Sequence, residues 1–192
     1  WLVSIPLKMV SFIDSLWAPG FALAAWVASL SGAPGEVALL SAACSSTWGL
    51  RLGLYLLQRV LHHGEDRRYQ AMRDKHGPNF WWVSGLTVFG LQGFLMWVIS
   101  WPLQYAAALP GDVSALHIVA ALVFFIGFAC EALADLQLSQ FKKQDGGRGV
   151  MDRGIWRYSR HPNYFGNCVM WWGLYGLAAI QGGWWTIFAP LI

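Results

Sequence analysis

The chain has 192 residues, 56% of them hydrophobic and only 12% charged. Soluble domains carry about a quarter charged residues, so several segments must lie in lipid. The net charge of +3 does not mark a nucleic-acid binder, because the basic residues occupy two short loops between apolar spans and form no continuous stripe. Thirteen tryptophans agree with a membrane setting, since Trp gathers at bilayer interfaces. Cys44, Cys130 and Cys168 fall inside apolar spans without CxxC or Cys/His spacing, which suggests neither a disulfide framework nor a metal site.

In chain order, Met9 to Ser31 is the first span, with Asp14 near its start and Pro19-Gly20 beyond it. After a turn at Gly32-Ala33-Pro34-Gly35, the second runs from Val37 to Leu61 and holds Arg51 well inside. His62 to Asn79 is a polar loop with a short helix expected around Glu65 to Lys75. Phe80 to Leu103 is the third span, Leu109 to Asp112 a turn, and Val113 to Leu138 the fourth span, bearing Glu131 and Asp135 in its last turns. A basic loop from Phe141 leads through Arg148, Arg153, Arg157 and Arg160 to a fifth span, Asn163 to Ile180, and a sixth begins at Trp184. The expected fold is therefore one domain over residues 1–192, an all-α polytopic transmembrane bundle of about six spans. The first residue is Trp1, and the last apolar run is too short to cross a bilayer, so the chain reads as trimmed at both ends. If spans alternate, nearly all basic residues lie on one side, which the positive-inside rule makes the cytoplasm.

Polar groups within spans are costly and face a bundle interior, a partner or a water-filled cavity. Arg51, Tyr55 and Arg59, spaced by four, line one stripe of the second helix, with Trp48 one turn earlier. Glu131, Asp135 and Lys142 follow one face of the fourth, and Asn163 and Asn167 one face of the fifth. Asp14 stands on the first. Three polar stripes meeting near the basic side outline a pocket for a long polar ligand, with room for a lipid-soluble partner. The bland alternative is that these groups form ion pairs between helices, for instance Arg51 with Asp14, or snorkel to the interface.

The mouth of this pocket is the run Arg157-Tyr158-Ser159-Arg160-His161-Pro162-Asn163-Tyr164-Phe165-Gly166-Asn167. Pro162 suits the first turn of a helix, whose free N–H groups attract anions. Arg157 and Arg160 add positive charge, and Tyr164 and Phe165 offer rings against a flat group. A phosphate-bearing aromatic cofactor needs these properties. There is no strand followed by GxGxxG, so a Rossmann site is not expected.

Four motifs in order carry a family resemblance: Thr47-Trp48-Gly49-Leu50-Arg51-Leu52; Glu65-Asp66-Arg67-Arg68-Tyr69; Glu131 through Asp135 to Gln137-Leu138 and Phe141-Lys142; and Trp156 through Arg160-His161-Pro162 to Gly166. The chain resembles the DUF1295 proteins of the steroid 5-alpha-reductase superfamily over most of its length. The resemblance implies an intact bundle of about seven helices, NADPH bound on the cytoplasmic side, and reduction of a C=C bond conjugated to a ketone in a lipophilic substrate from the bilayer. It places Glu131, Asp135, Lys142, Asn163 and Asn167 in the cofactor pocket, with Arg51 near the nicotinamide end. Arg59, Arg148, Arg157, Arg160, His161 and Tyr164 are further expected cofactor contacts. The cluster Lys142, Lys143, Arg148 and Arg153 favours NADPH over NADH.

The resemblance also puts Asp14 where these enzymes hold the substrate ketone and Trp48 where they carry a proton-donating tyrosine. Tryptophan donates a hydrogen bond but no proton near neutral pH, so either another group supplies the proton, with Asp14 and Tyr55 as candidates, or the substrate differs. Two rival readings stand beside the reductase. One is a membrane methyltransferase of the isoprenylcysteine carboxyl methyltransferase type using S-adenosylmethionine, and the other a non-catalytic lipid-binding membrane protein. No nucleic acid and no obligate protein partner are expected.

Overall fold

The computed structural model describes residues 1–32, 35–144 and 149–192; Ala33-Pro34 of the expected first turn and loop positions Asp145 to Arg148, with the cofactor contact expected of Arg148, lie outside them. The described residues are helical, without strands. Four stretches among them are long and apolar enough to cross a membrane: Phe12–Ser31, Glu36–His63, Arg67–Ile99 and Ala115–Gln144. The protein is an all-helical membrane bundle. A short α1 (Ser4–Leu7) precedes α2 (Phe12–Ser31), α3 (Glu36–His63) and a surface helix α4 (Arg67–His76). α5 (Phe80–Ser84) continues through a π-helical segment, Gly85–Gly90, into α6 (Leu91–Ile99); then come α7 (Trp101–Ala108), α8 (Ala115–Gln144) and α9 (Pro162–Ile180).

The third expected span, Phe80 to Leu103, is not one straight rod. It is interrupted at Ser100, and Pro102 in the first turn of α7 restarts the helix. α7 then packs among α2, α3 and α9 with Leu103, Ala106 and Ala107 fully buried. The expected fifth span is α9, 19 residues long. The segment expected to begin a sixth forms a 3-10 helix, Trp184–Leu191, whose Trp185 and Phe188 meet Trp101 edge-on at 5.6 and 5.8 Å.

Small residues set the two closest helix pairs, as in membranes where lipid is as apolar as leucine and association depends on tight packing. α2 and α3 run antiparallel with Gly49 against the Ala18 carbonyl and Gly53 against that of Ser15. Pro19 has no N–H to return to Ser15, so that carbonyl is released from the helix ladder and lies against the glycine. α8 and α9 are likewise antiparallel. A Cβ on Gly127 would stand 2.3 Å from the Met170 backbone nitrogen, and one on Gly166 2.5 Å from that of Glu131.

At the basic end, the Glu65-Asp66-Arg67-Arg68-Tyr69 motif is a latch. Glu65 accepts the N–H groups of Val10 and Ser11 at 2.7 and 3.1 Å, where the start of α2 favours negative charge. It also pairs with Arg73 at 2.8 Å, whose guanidinium reaches the Lys8 carbonyl. Asp66 caps α4 by accepting the Arg68 N–H at 2.9 Å and pairs with Arg59 at 3.0 Å. The side-chain hydrogen bond from Arg68, with its backbone N–H, holds the Asp66 carboxyl below its usual range. Its stabilising contribution is therefore complete above the ordinary aspartate pKa and is lost as pH falls through the depressed one. Melting curves in detergent across the acid range should show wild type losing more stability on acidification than Asp66→Asn; equal losses would assign the acid response to other carboxylates.

Candidate functional site

The helical repeat places Trp48, Arg51 and Tyr55 on one stripe of α3, Glu131 and Asp135 on one face of α8, and Asn163 and Asn167 on one face of α9. Glycine-tight packing of α8 on α9 brings their two stripes together, and α3 lies alongside. Arg51 bonds Asp135 at 2.6 Å and stands 3.7 Å from Glu131. Asn163 donates to the other Asp135 oxygen at 3.3 Å. Asn167 and the Trp48 indole face Glu131, and Tyr55 lies within electrostatic reach of Asp135 and Arg51. Glu131 and Asp135 are buried.

The cluster is incompletely satisfied. Among the described residues, nine buried side-chain polar atoms lack a hydrogen-bond partner, and five of them are here: Trp48 Nε1, Arg51 Nε and Nη2, Glu131 Oε2 and Asn163 Oδ1. An orphaned buried group costs about 1–3 kcal/mol. Five in one place, donors and acceptors both, form a ready seat for a polar ligand.

Asn167 also lines an adjoining cleft of about 490 Å³ between α2, α6, α9 and the final 3-10 segment. Its walls include Trp17 and Phe21 from α2, Leu95 and Ile99 from α6, and Tyr164 and Trp171 from α9. Phe21, Trp48 and Trp171 pack ring to ring at 5.0–5.8 Å between centroids, so one wall of the cleft is aromatic. A polar seat and an apolar chamber therefore share one side chain.

The family model described as a protein of unknown function (DUF1295) matches residues 1–192. The chain belongs to the DUF1295 family. This is the family of steroid 5-alpha-reductase-like proteins. Comparison with curated proteins finds no match, nor does comparison with solved structures.

The DUF1295 chain gathers Trp48, Arg51, Tyr55, Glu131, Asp135, Asn163 and Asn167 at one place, but it disperses other residues singled out from sequence. Asp14 is not beside Trp48. It accepts from the Tyr69 hydroxyl at 2.7 Å and from Arg68 at 3.2 Å, and it precedes Phe21, the α2 partner of Trp48, by seven residues, about 10 Å of helix. Nor does it pair with Arg51, whose carboxylates come from α8. Arg59 turns away to Asp66 with half its side chain exposed. Trp48 is 1% exposed and sits in the core against Phe21 and Trp171. Tyr164 lines the cleft, 5.4 Å from the His161 ring. Lys142, Arg157 and Arg160 are exposed at the basic end, with Arg157 over the Tyr158 ring.

Sequence reasoning missed the cleft walls of the DUF1295 protein, because Trp17, Phe21, Leu95 and Trp171 look like ordinary apolar residues of a span. It also missed Tyr69 as the partner of Asp14. The available signal was an aromatic hydroxyl one residue after a doubled arginine, in a loop that had to fold back on the start of α2.

Proposed function

We propose that this protein is a membrane-embedded NADPH-dependent reductase of a C=C bond conjugated to a ketone in a lipophilic substrate drawn from the bilayer. The observation that supports it is the set of five orphaned polar atoms joined through Asn167 to an aromatic cleft. The donor set fits the cofactor's uncharged end. Carboxamide and ribose hydroxyls both give and take hydrogen bonds, and here Glu131 and Asn163 accept while Trp48 and Arg51 donate. Arg157, Arg160 and His161, leading into α9, suit the phosphates. When bound, the cofactor supplies hydride.

The chain's own residues hold and shield. Arg51 fixes Asp135, which orients Asn163, while Phe21, Trp48 and Trp171 keep water from the cleft side. Asn167, between seat and chamber, is placed to orient a substrate carbonyl with its amide N–H. Trp48 cannot supply a proton and Asp14 is held by Tyr69 and Arg68, so the group that protonates the reduced substrate is sought in Tyr55. The basic end of the bundle would face the cytoplasm, the compartment that holds soluble nucleotide.

Titration of the purified protein with NADPH and, separately, S-adenosylmethionine tests this. NADPH should bind, and Asn163→Ala should weaken it about tenfold, equivalent to about 1.4 kcal/mol, without lowering the melting temperature. Preference for S-adenosylmethionine would replace the reductase with a methyltransferase. NADPH binding without oxidation by sterol, fatty or quinone enones would leave a non-catalytic binder.

A further inference from the structure

Tyr69 is 5% exposed and comes from α4, where it packs with Val10, Phe80 and Val88. Its hydroxyl donates to Asp14 of α2 at 2.7 Å and accepts from the Gln92 amide of α6 at 3.2 Å. The positions that follow on those helices decide what this bridge does. Three and seven residues beyond Asp14 are Trp17 and Phe21; three and seven beyond Gln92 are Leu95 and Ile99. These four line the cleft. At helical spacing, each wall of the cleft is thus the continuation of a stripe that starts at a residue held by Tyr69. Phe12 meets Phe89 of the π-helical segment at 5.9 Å and Gly20 receives the Met96 side chain of α6, so α2 also touches the π-helical segment and α6 on either side of the bridge. Among the described residues the bridge is the polar contact between α2 and α6, and it is anchored from a third element that the Glu65 and Asp66 contacts hold in place.

We infer that Tyr69 is a positioning residue that sets the width of the cleft, and hence the breadth of lipophilic ligand it admits, by tying α2 to α6. Asp14 serves as its acceptor. The inference takes the cleft as the substrate chamber of the proposed function, but cleft width is readable without nucleotide or substrate, so the two can fail separately.

Cys168 lines the cleft and is exposed, whereas Cys44 is 1% exposed in the core. With Cys130 replaced by serine, alkylation of Cys168 by N-ethylmaleimide and by the bulkier N-pyrenylmaleimide, followed by mass spectrometry, gives a width-sensitive ratio of rates. Tyr69→Phe keeps the ring and removes the bridge. It should raise the pyrenylmaleimide rate at least about fivefold relative to N-ethylmaleimide while Cys44 stays unlabelled. Gln92→Met cuts only the α6 side, leaves the Asp14 contact intact, and should raise the ratio in the same direction, so it decides the matter if Tyr69→Phe does not fold. Asp14→Asn, which retains an acceptor oxygen, should leave the ratio near wild type. An unchanged ratio in Gln92→Met, or Cys44 labelling that rises in step with Cys168, would overturn the assignment and make Tyr69 a general packing residue.

Discussion

Arg51→Met should be the most damaging single polar substitution in the bundle. It leaves Glu131 and Asp135 buried together without their cation, and removing one partner of a buried ion pair costs about 3–5 kcal/mol. One-fifth of the Arg51 side chain is exposed, which puts the expected loss nearer the lower figure. NADPH affinity should disappear with it. The companion variant Arg51→Met/Glu131→Leu/Asp135→Leu removes all three charges at once. Because well-packed apolar groups can replace a buried ionic cluster at little cost or with a gain, its stability in detergent should return to near wild type while nucleotide binding stays absent. Recovery of stability without recovery of binding would separate the ligand seat from a mere brace between helices. If instead the triple variant binds NADPH like wild type, the cluster is only a brace and the cofactor lies elsewhere.

Gly127→Ala should be nearly as severe, by a different route. The added methyl would sit 2.3 Å from the Met170 nitrogen and 2.5 Å from the Gly166 carbonyl oxygen, and both are backbone atoms of α9 that cannot rotate aside. Overpacking of a well-filled core costs about 1–3 kcal/mol, and with only backbone to yield the upper part of that range is expected. The helices must part by the depth of a methyl group. Glu131 and Asp135 lie one and two turns below Gly127, so separation there withdraws Asn163 and Asn167 from them. Melting temperature and NADPH affinity should both fall, the affinity at least tenfold, or about 1.4 kcal/mol. A stable Gly127→Ala protein with unaltered affinity would mean that the close approach of α8 and α9 is dispensable for the site.

These two cases mark how far the sequence could be read. Hydropathy and charge located the first, second and fifth spans to within a few residues, since a segment in lipid must satisfy its own backbone and announces itself by composition, whereas the fourth runs on to Gln144 and the third is broken. The helical repeat grouped polar residues within each span, although Arg59, expected on the stripe of Arg51 and Tyr55, turns away to Asp66. Arg51 with Tyr55, Glu131 with Asp135, and Asn163 with Asn167 each share a face as expected. The break at Ser100 was less legible, because Pro102 alone does not say whether a span kinks or restarts.

What the sequence determined by itself was the set of membrane helices, the collection of basic residues at one end, and the polar stripe each helix carries. Tertiary structure decided which stripes face one another: α3, α8 and α9 combine, whereas Asp14 of α2 is taken by Tyr69 and Arg68, and Arg59 by Asp66. The reason is that periodicity fixes direction only around one helix axis. Pairing between axes depends on how closely backbones approach, through Gly49, Gly53, Gly127 and Gly166, and those contacts join residues far apart in the chain.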